Sequence, residues 1–347
     1  MSKLSSICRH EVKQKASGNW DSIIVKLAPS LASALERPGT HVDCPMHGGK
    51  MDFRVFRNVA DTGGGVCTCG TYPDGFSLIG AANDWSFKDA LAEVGRLILG
   101  DKSVLTPRAV QPRKHDTAKE DLAIRQGLSA LWQGSIAPHA SAAEPFRRYL
   151  SGRGLKWPQN IQGIRFHPSL AYYQDGILKG RHPGFIALVS APDGTPVTIH
   201  RTYLTAEGKK AEVDAPKKLC PHPSDRPLMG AAIRLFAATD TLAVAEGIET
   251  ALAVTEQTGI PCWATVTAGI MAEFIPPAGV EKVLIFADRD RPSKYHPEGH
   301  GQESARILAE RLWKSGIKAG VRMPPMPIPD DKKGIDWLDC LVHKVVA

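Results

Sequence analysis

Two apolar runs in this sequence end on acids. Leu242-Ala-Val-Ala245 leads into Glu246-Gly247, and Val283-Leu-Ile-Phe-Ala287 leads into Asp288-Arg-Asp290. In a parallel α/β sheet, functional groups gather at the carboxyl ends of strands, so Glu246, Asp288 and Asp290 are expected to converge. Carboxylates brought together repel unless a cation holds them, and oxygen ligands favour Mg2+ or Mn2+. Asp288 and Asp290, two apart on one strand, point the same way, as two ligands of one metal should. Glu246 is expected to bind metal or to move a proton. A divalent cation shared between carboxylates and nucleotide phosphates is the usual arrangement for phosphoryl transfer.

A second set of residues suits a softer metal. Three of the seven cysteines, Cys44, Cys67 and Cys69, crowd into a short stretch with His47. Zn2+ takes four such ligands in a tetrahedron, and a closed set of four leaves a structural rather than a catalytic ion. Cys44-Pro-Met-His47 forms one expected knuckle and Cys67-Thr-Cys69-Gly70 the other. The second has one intervening residue where two are usual, and His41 lies near enough to replace a weak ligand. Cys8 and His10 are expected to be unrelated surface residues. Between the knuckles, Lys50-Met-Asp-Phe-Arg54-Val-Phe56-Arg57 interleaves basic and aromatic residues. Lys50, Arg54 and Phe56 suit phosphate contact and base stacking on single-stranded DNA, while Phe53 and Val55 would face the small core.

The elements that must position these residues follow from periodicity and punctuation. A helix is expected over about 23–36, ended by Pro38-Gly39, and another over 86–99, with Ser86 as N-cap and Gly100 as stop. Residues 101–118 read as a linker and are followed by a helix over about 119–133. Short strands and turns fill 145–230, including 184–189 and 196–200. From 231 onwards strands and helices alternate: 242–245, 248–257, 262–266, 283–287, 302–315 and 318–323. Such alternation implies a parallel sheet covered by helices. The expected class is therefore α/β at the C-terminal end, with a mixed α+β middle and a small N-terminal β unit. The corresponding divisions are 1–100, the linker 101–118, 119–235 and 236–347.

Bulk properties narrow the function class. The 347 residues are 43% hydrophobic and 23% charged, as in ordinary globular domains. No run is apolar for long enough to span a membrane, and the start lacks the apolar core of a secretory signal, so a cytoplasmic protein with no membrane partner is expected. A net charge of +7 suits a polyanionic partner. An odd cysteine count argues against a disulfide framework.

The segment from Glu246-Gly-Ile-Glu249-Thr250 to Asp288-Arg-Asp290 resembles the Toprim domain of primases, topoisomerases and related nucleases. Cys44-Pro-Met-His47-Gly-Gly-Lys50 with Thr62-Gly-Gly-Gly-Val-Cys67-Thr-Cys69-Gly70 resembles the zinc ribbon of conjugative-plasmid and satellite-phage primases. Tyr149-Leu-Ser-Gly-Arg153-Gly-Leu155, Arg165-Phe-His-Pro168 and His200-Arg-Thr-Tyr-Leu204 are similar to that group too. The resemblance spans most of 41–340. It implies a Rossmann-like parallel sheet, a glutamate acid or base at Glu246, and Mg2+ at Asp288 and Asp290. In Gly334-Ile-Asp336-Trp-Leu-Asp339 it implies a further acidic turn, with Asp336 helping to bind metal. It also implies a basic region ahead of the sheet holding template and incoming nucleotide, for which Arg201, Lys217, Lys218 and Arg234 are the candidates. Glu249, one helical turn after Glu246, either reaches the same site or is a helix N-terminal acid. Lys209-Lys210 reads as a solvated turn.

The activity implied is a DNA primase: short RNA primers made from nucleoside triphosphates on a single-stranded DNA template. A Toprim nuclease or a non-catalytic DNA-binding accessory protein are the alternatives. No Gly-x-x-x-x-Gly-Lys-Ser/Thr loop is present, so a replicative helicase would be a separate partner.

Overall fold

The computed structural model describes residues 9–67, 69–100, 117–174, 177–293 and 296–342. Most of the expected linker, Cys8 and Thr68 lie outside these residues. The chain forms two compact units, Met1–Lys114 and His115–Ala347.

The first unit contains helices α1 (Arg9–Ala16), α2 (Trp20–Leu27) and α3 (Ala32–Glu36), strand β1 (Arg54–Val55), helix α4 (Val59–Thr62), strands β2 (Gly65–Cys67) and β3 (Gly70–Tyr72), and helices α5 (Gly75–Asn83) and α6 (Phe87–Gly100). The single helix expected over 23–36 is divided. Pro29 has no N–H to continue a helical ladder, so the chain turns there through a short 3-10 segment, Pro29–Leu31. Strands β1, β2 and β3 form an antiparallel sheet in that order. Phe53 and Val55 are fully buried beneath it. The core continues through Trp20 and Phe76, whose rings meet edge to face at 4.9 Å.

The second unit begins with helices α7 (Thr117–Gln133) and α8 (Glu144–Gly152). Strands β4 (Ile164–Gln174), β5 (Ile177–Ser190), β6 (Pro196–Tyr203), β7 (Lys217–Leu219) and β8 (Ala232–Ile233) follow. Then come β9 (Thr241–Ala245), α9 (Ile248–Thr258), β10 (Cys262–Ala264), α10 (Ala268–Ala272), β11 (Lys282–Phe286), β12 (Arg289–Asp290), α11 (His300–Lys314), β13 (Lys318–Arg322), β14 (Gly334–Ile335) and α12 (Trp337–Val342). The main sheet runs β13-β11-β9-β10-β8-β5-β6-β7, with β4 added beside β5. Strands β13, β11, β9 and β10 are parallel; β8 joins antiparallel to both β10 and β5. The parallel sheet expected from strand–helix alternation is thus one half of a mixed sheet, continued by an antiparallel meander.

The meander strands are longer than the sequence suggested, because β4 and β5 tolerate register shifts near His167 and Tyr172 rather than ending there. Helix α8 was not anticipated. Pro145 sits in its first turn, and Phe146, Tyr149 and Leu150 are its buried face. Apolar layers cover both faces of the parallel half. Ala243, Ala245, Leu284 and Phe286 pack with α8, α9 and α12, while Leu242, Val244, Val283 and Ile285 pack with α10 and α11.

Candidate metal centre and acidic active site

In the first unit, Cys44 begins a tight turn: Gly48 donates to the Cys44 carbonyl at 2.9 Å, and the Cys44 N–H donates to the Gly49 carbonyl at 2.7 Å. Gly48 takes a left-handed φ of 72° to close that turn. Cys67 ends β2 and Cys69 precedes β3, so the one-residue knuckle still turns both sulfurs inward. The ligand atoms of Cys44, His47, Cys67 and Cys69 all lie within 4.8 Å of one another. Cys44 Sγ is 3.9 Å from Cys69 Sγ, and Cys67 Sγ is 3.7 Å from His47 Nδ1. Thiolates about 2.3 Å from a tetrahedral zinc stand roughly 3.8 Å apart, so the set fits structural Zn2+. His47 Nε2 lies 3.0 Å from the Asp52 carboxylate, an outer contact that leaves Nδ1 to the metal. Tyr72 Oη lies 3.3 Å from Cys69 Sγ. The hydrogen bond between Cys67 and Cys69 pushes the Cys67 thiol up and the Cys69 thiol down, so the two sulfurs share one proton between them. His41 is exposed and is not one of the four.

Along the ribbon strand, burial alternates: Phe53 and Val55 are buried, Arg54 and Phe56 half-buried, and Lys50 exposed. Burial and the neighbouring Arg57 lower the Arg54 pKa.

In the second unit, Glu246 follows β9 and Asp288 follows β11, two parallel neighbours in register from Thr241↔Lys282 to Ala245↔Phe286. Strand β12 pairs with β14 through Arg289↔Ile335 and Asp290↔Gly334. Continuing that register sets Asp336 opposite Asp288. Asp290 Oδ2 accepts from the Gly301 N–H at 2.8 Å, and the Gln302 side chain brackets the Asp290 backbone. Gly301 and Gly334 permit this closeness: a Cβ on either would lie 2.6 Å from Asp288 O or Asp290 Oδ1, respectively. Gly247, by contrast, has an ordinary extended φ of −90°, so the turn into α9 does not require a glycine. Asp336 Oδ1 accepts from the Asp339 N–H at 2.9 Å and so caps α12.

The charges of these four acids act on one another. Burial, then Asp290 and Asp336, push Glu246 up to about 7 against the opposing pull of Lys217. Burial and the same group of acids push Asp288 well up, and Asp288 Oδ1 is buried without a hydrogen-bond partner. An orphaned carboxylate oxygen among acids fits a divalent cation. Among the described residues, the ribbon ligands are the one group of three or more His, Cys, Asp or Glu side chains already gathered closely enough to hold a metal ion.

These shifts predict a pH dependence. Glu246 releases its proton near 4.5 when unfolded and at about 7 when folded. Between those values the folded state binds more protons, so stability falls as pH rises. Without added Mg2+, the protein should lose on the order of 2 kcal/mol between about pH 5 and about pH 7.5. Glu249 is held low and titrates below this window. Denaturant midpoints should flatten in Glu246→Gln and when Mg2+ is present; a rising profile would contradict the assignment.

The basic candidates divide. Lys217 faces the acids: its Nζ is 2.8 Å from Glu249 Oε2, and its charge lowers both Glu246 and Asp288. Lys218 points to the other face, donating to the Tyr173 carbonyl at 2.6 Å over the Tyr172 ring. Arg201 pairs with Lys218 across β6 and β7 and lies over Tyr203. Arg234 donates to the carbonyls of Ala191 and Pro192, both at 2.7 Å, and stacks on Trp263, so it ties a turn to the sheet rather than reaching the acids. Lys210, expected in a solvated turn, instead faces acids. Lys210, on the hairpin after β6, interacts with Glu249 and Asp336, while Arg153, just after α8, acts on Tyr149 and Lys210.

Three family models match the chain: a zinc-binding domain of primase-helicase over residues 39–76, a domain of unknown function (DUF7146) over 123–230, and a Toprim domain over 241–345. Among solved structures, a DNA primase domain from Pseudomonas aeruginosa is 14% identical with a TM-score of 0.40, over 64% of this chain and 78% of that one. The zinc-binding and RNA polymerase domains of the Aquifex aeolicus primase are 14% identical with a TM-score of 0.39, over 92% and 82%. The primase fragment of the bacteriophage T7 primase-helicase protein is 15% identical with a TM-score of 0.32, over 57% and 65%. No curated protein matches. The chain therefore carries a primase-type zinc ribbon and a Toprim domain, a pairing that fits structural Zn2+ in the first and catalytic Mg2+ in the second. No described helix is long and apolar enough to cross a membrane.

Proposed function

We propose that this protein is a DNA primase that joins nucleoside triphosphates into short RNA primers on single-stranded DNA. The observation that carries the reading is the acidic centre at the ends of β9 and β11, faced by Lys217, in a chain that also carries a primase-type zinc ribbon. Asp288 and Asp290 would hold Mg2+, with Asp336 beside them. When bound there, Mg2+ would supply positive charge to offset the negative charge that develops on the α-phosphate. Glu246, near neutrality in its pKa, accepts the proton of the attacking 3′ hydroxyl; the new bond forms to the α-phosphorus and pyrophosphate leaves. Lys217 meets the triphosphate as a compact cation.

The ribbon strand supplies template contact through Lys50, Arg54 and Phe56. Arg54→Ala should weaken single-stranded DNA binding and reduce its salt slope by about one phosphate contact. Phe56→Ala should cost about 1–3 kcal/mol with the slope unchanged. Fluorescence anisotropy over a salt series measures both, and parental binding by both variants would move template contact elsewhere.

The test of the function is incorporation of radiolabelled ribonucleotide on unprimed single-stranded DNA, beside cleavage of a labelled DNA strand. Short RNA products support the reading. Cleavage alone would make the protein a nuclease, and neither product would make it an accessory DNA-binding protein.

A further inference from the structure

Glu249 is the most deeply buried acid near the active site, and the mechanism does not use it. It lies in the first turn of α9, only 3% exposed, one helical turn from Glu246. Both its oxygens are taken. Oε2 receives Lys217 Nζ at 2.8 Å, and Oε1 receives the Tyr149 hydroxyl from α8. Burial pushes this carboxyl up, but Lys217 and the Tyr149 hydrogen bond outweigh it and hold Glu249 at about 2. A metal at Glu249 would have to displace both the Lys217 ammonium and the Tyr149 hydroxyl from its two oxygens.

Lys217 stands opposite Thr202 in the β6–β7 ladder, on the face that also carries His200. His200 is buried, and its pKa falls to about 4, through burial first and Lys217 second, so it stays neutral and adds no competing charge. His200 Nδ1, Thr202 Oγ1 and Arg153 Nε are all buried without hydrogen-bond partners. Within this polar seam, Lys217 is the group bonded to Glu249 whose charge also reaches Glu246 and Asp288.

We infer that Glu249, fixed by Tyr149, is a positioning residue that holds the Lys217 ammonium at the edge of the acidic centre to receive the triphosphate of the incoming nucleotide. This rests on the nucleotidyl-transfer reading above. A lysine side chain otherwise samples many rotamers, and an anchored ammonium gives up little of that freedom when a phosphate arrives. Glu249 thus acts through Lys217 and is neither a metal ligand nor a proton carrier.

The test is ATP affinity of the full chain in Mg2+, by titration calorimetry, with primer synthesis measured separately. Glu249→Gln should weaken ATP binding about tenfold, and raised Mg2+ should not restore it. Lys217→Met should weaken it at least as much, and the double variant should bind like Lys217→Met alone. Rescue by Mg2+ would make Glu249 a metal ligand. Additive losses, or parental affinity in Glu249→Gln, would also overturn the inference. Should Glu249→Gln not fold, Tyr149→Phe carries the same test: weaker ATP binding supports the anchor and unchanged binding refutes it. Parental protein that binds ATP with this coupling but makes no primer would sink the primase reading and leave the positioning role standing; absence of any ATP binding would sink the positioning role.

Discussion

Replacing Asp288 and Asp290 together by asparagine is expected to abolish primer synthesis, a loss of at least about three orders of magnitude, with the fold kept. Asparagine preserves side-chain size, so β11, whose Val283 and Ile285 are fully buried, keeps its packing. What goes is the charge that holds a divalent cation. Burial and the surrounding acids already oppose ionisation of Asp288, so removing two charges relieves repulsion and should raise the melting temperature in Mg2+-free buffer. Asp290→Asn has a small opposing cost, because Asp290 Oδ2 caps the start of α11 through Gly301. Glu246→Gln should separate from these variants. It should slow turnover with Mg2+ dependence largely kept if it moves a proton, and be partly rescued by higher Mg2+ if it is a ligand. Primer yield and length against Mg2+ concentration decide the matter; full synthesis by the double variant would place the active site elsewhere.

The second large effect concerns zinc. Purified protein should contain about one Zn per chain, and Cys44→Ser or Cys67→Ser should lose it. Structural zinc in small domains is worth about 10–16 kcal/mol of apparent binding energy, comparable to or above the whole stability of a domain. Strands β1, β2 and β3 contain two or three residues each and cannot hold the ribbon together without a metal. The ribbon should therefore open in these variants, seen as protease sensitivity between Cys44 and Tyr72. The second unit has its own core, built on Phe146, Phe185, Val244 and Ile285, and should melt as before. A metal-free protein with an intact ribbon would refute the zinc centre.

Much of this molecule can be read from its amino acids in order. Strand β9 is apolar along four consecutive buried residues because both its faces are covered, and such a run is visible in any listing of the chain. The same holds for β11, and for the acids at the ends of both. The ribbon ligands are legible because cysteine and histidine rarely cluster without a metal, and the fold brings all four together despite the single residue between Cys67 and Cys69.

What the sequence alone determined was chemistry that sits next to its own structural signal: acids at strand ends, thiols in turns, helices with an apolar stripe. Pairings between distant segments belong to the tertiary structure. Tyr149 lies a hundred residues before Glu249, and Lys217 thirty-two before it; they meet because α8 and β7 border the layer that α9 covers. Likewise Lys217 and Lys218 read alike as neighbours, and only the pleat of β7 sends one to the acids and the other to Tyr173. Charge is a local property of a residue, but the group it faces depends on how the sheet is ordered, and that order is decided by long-range packing.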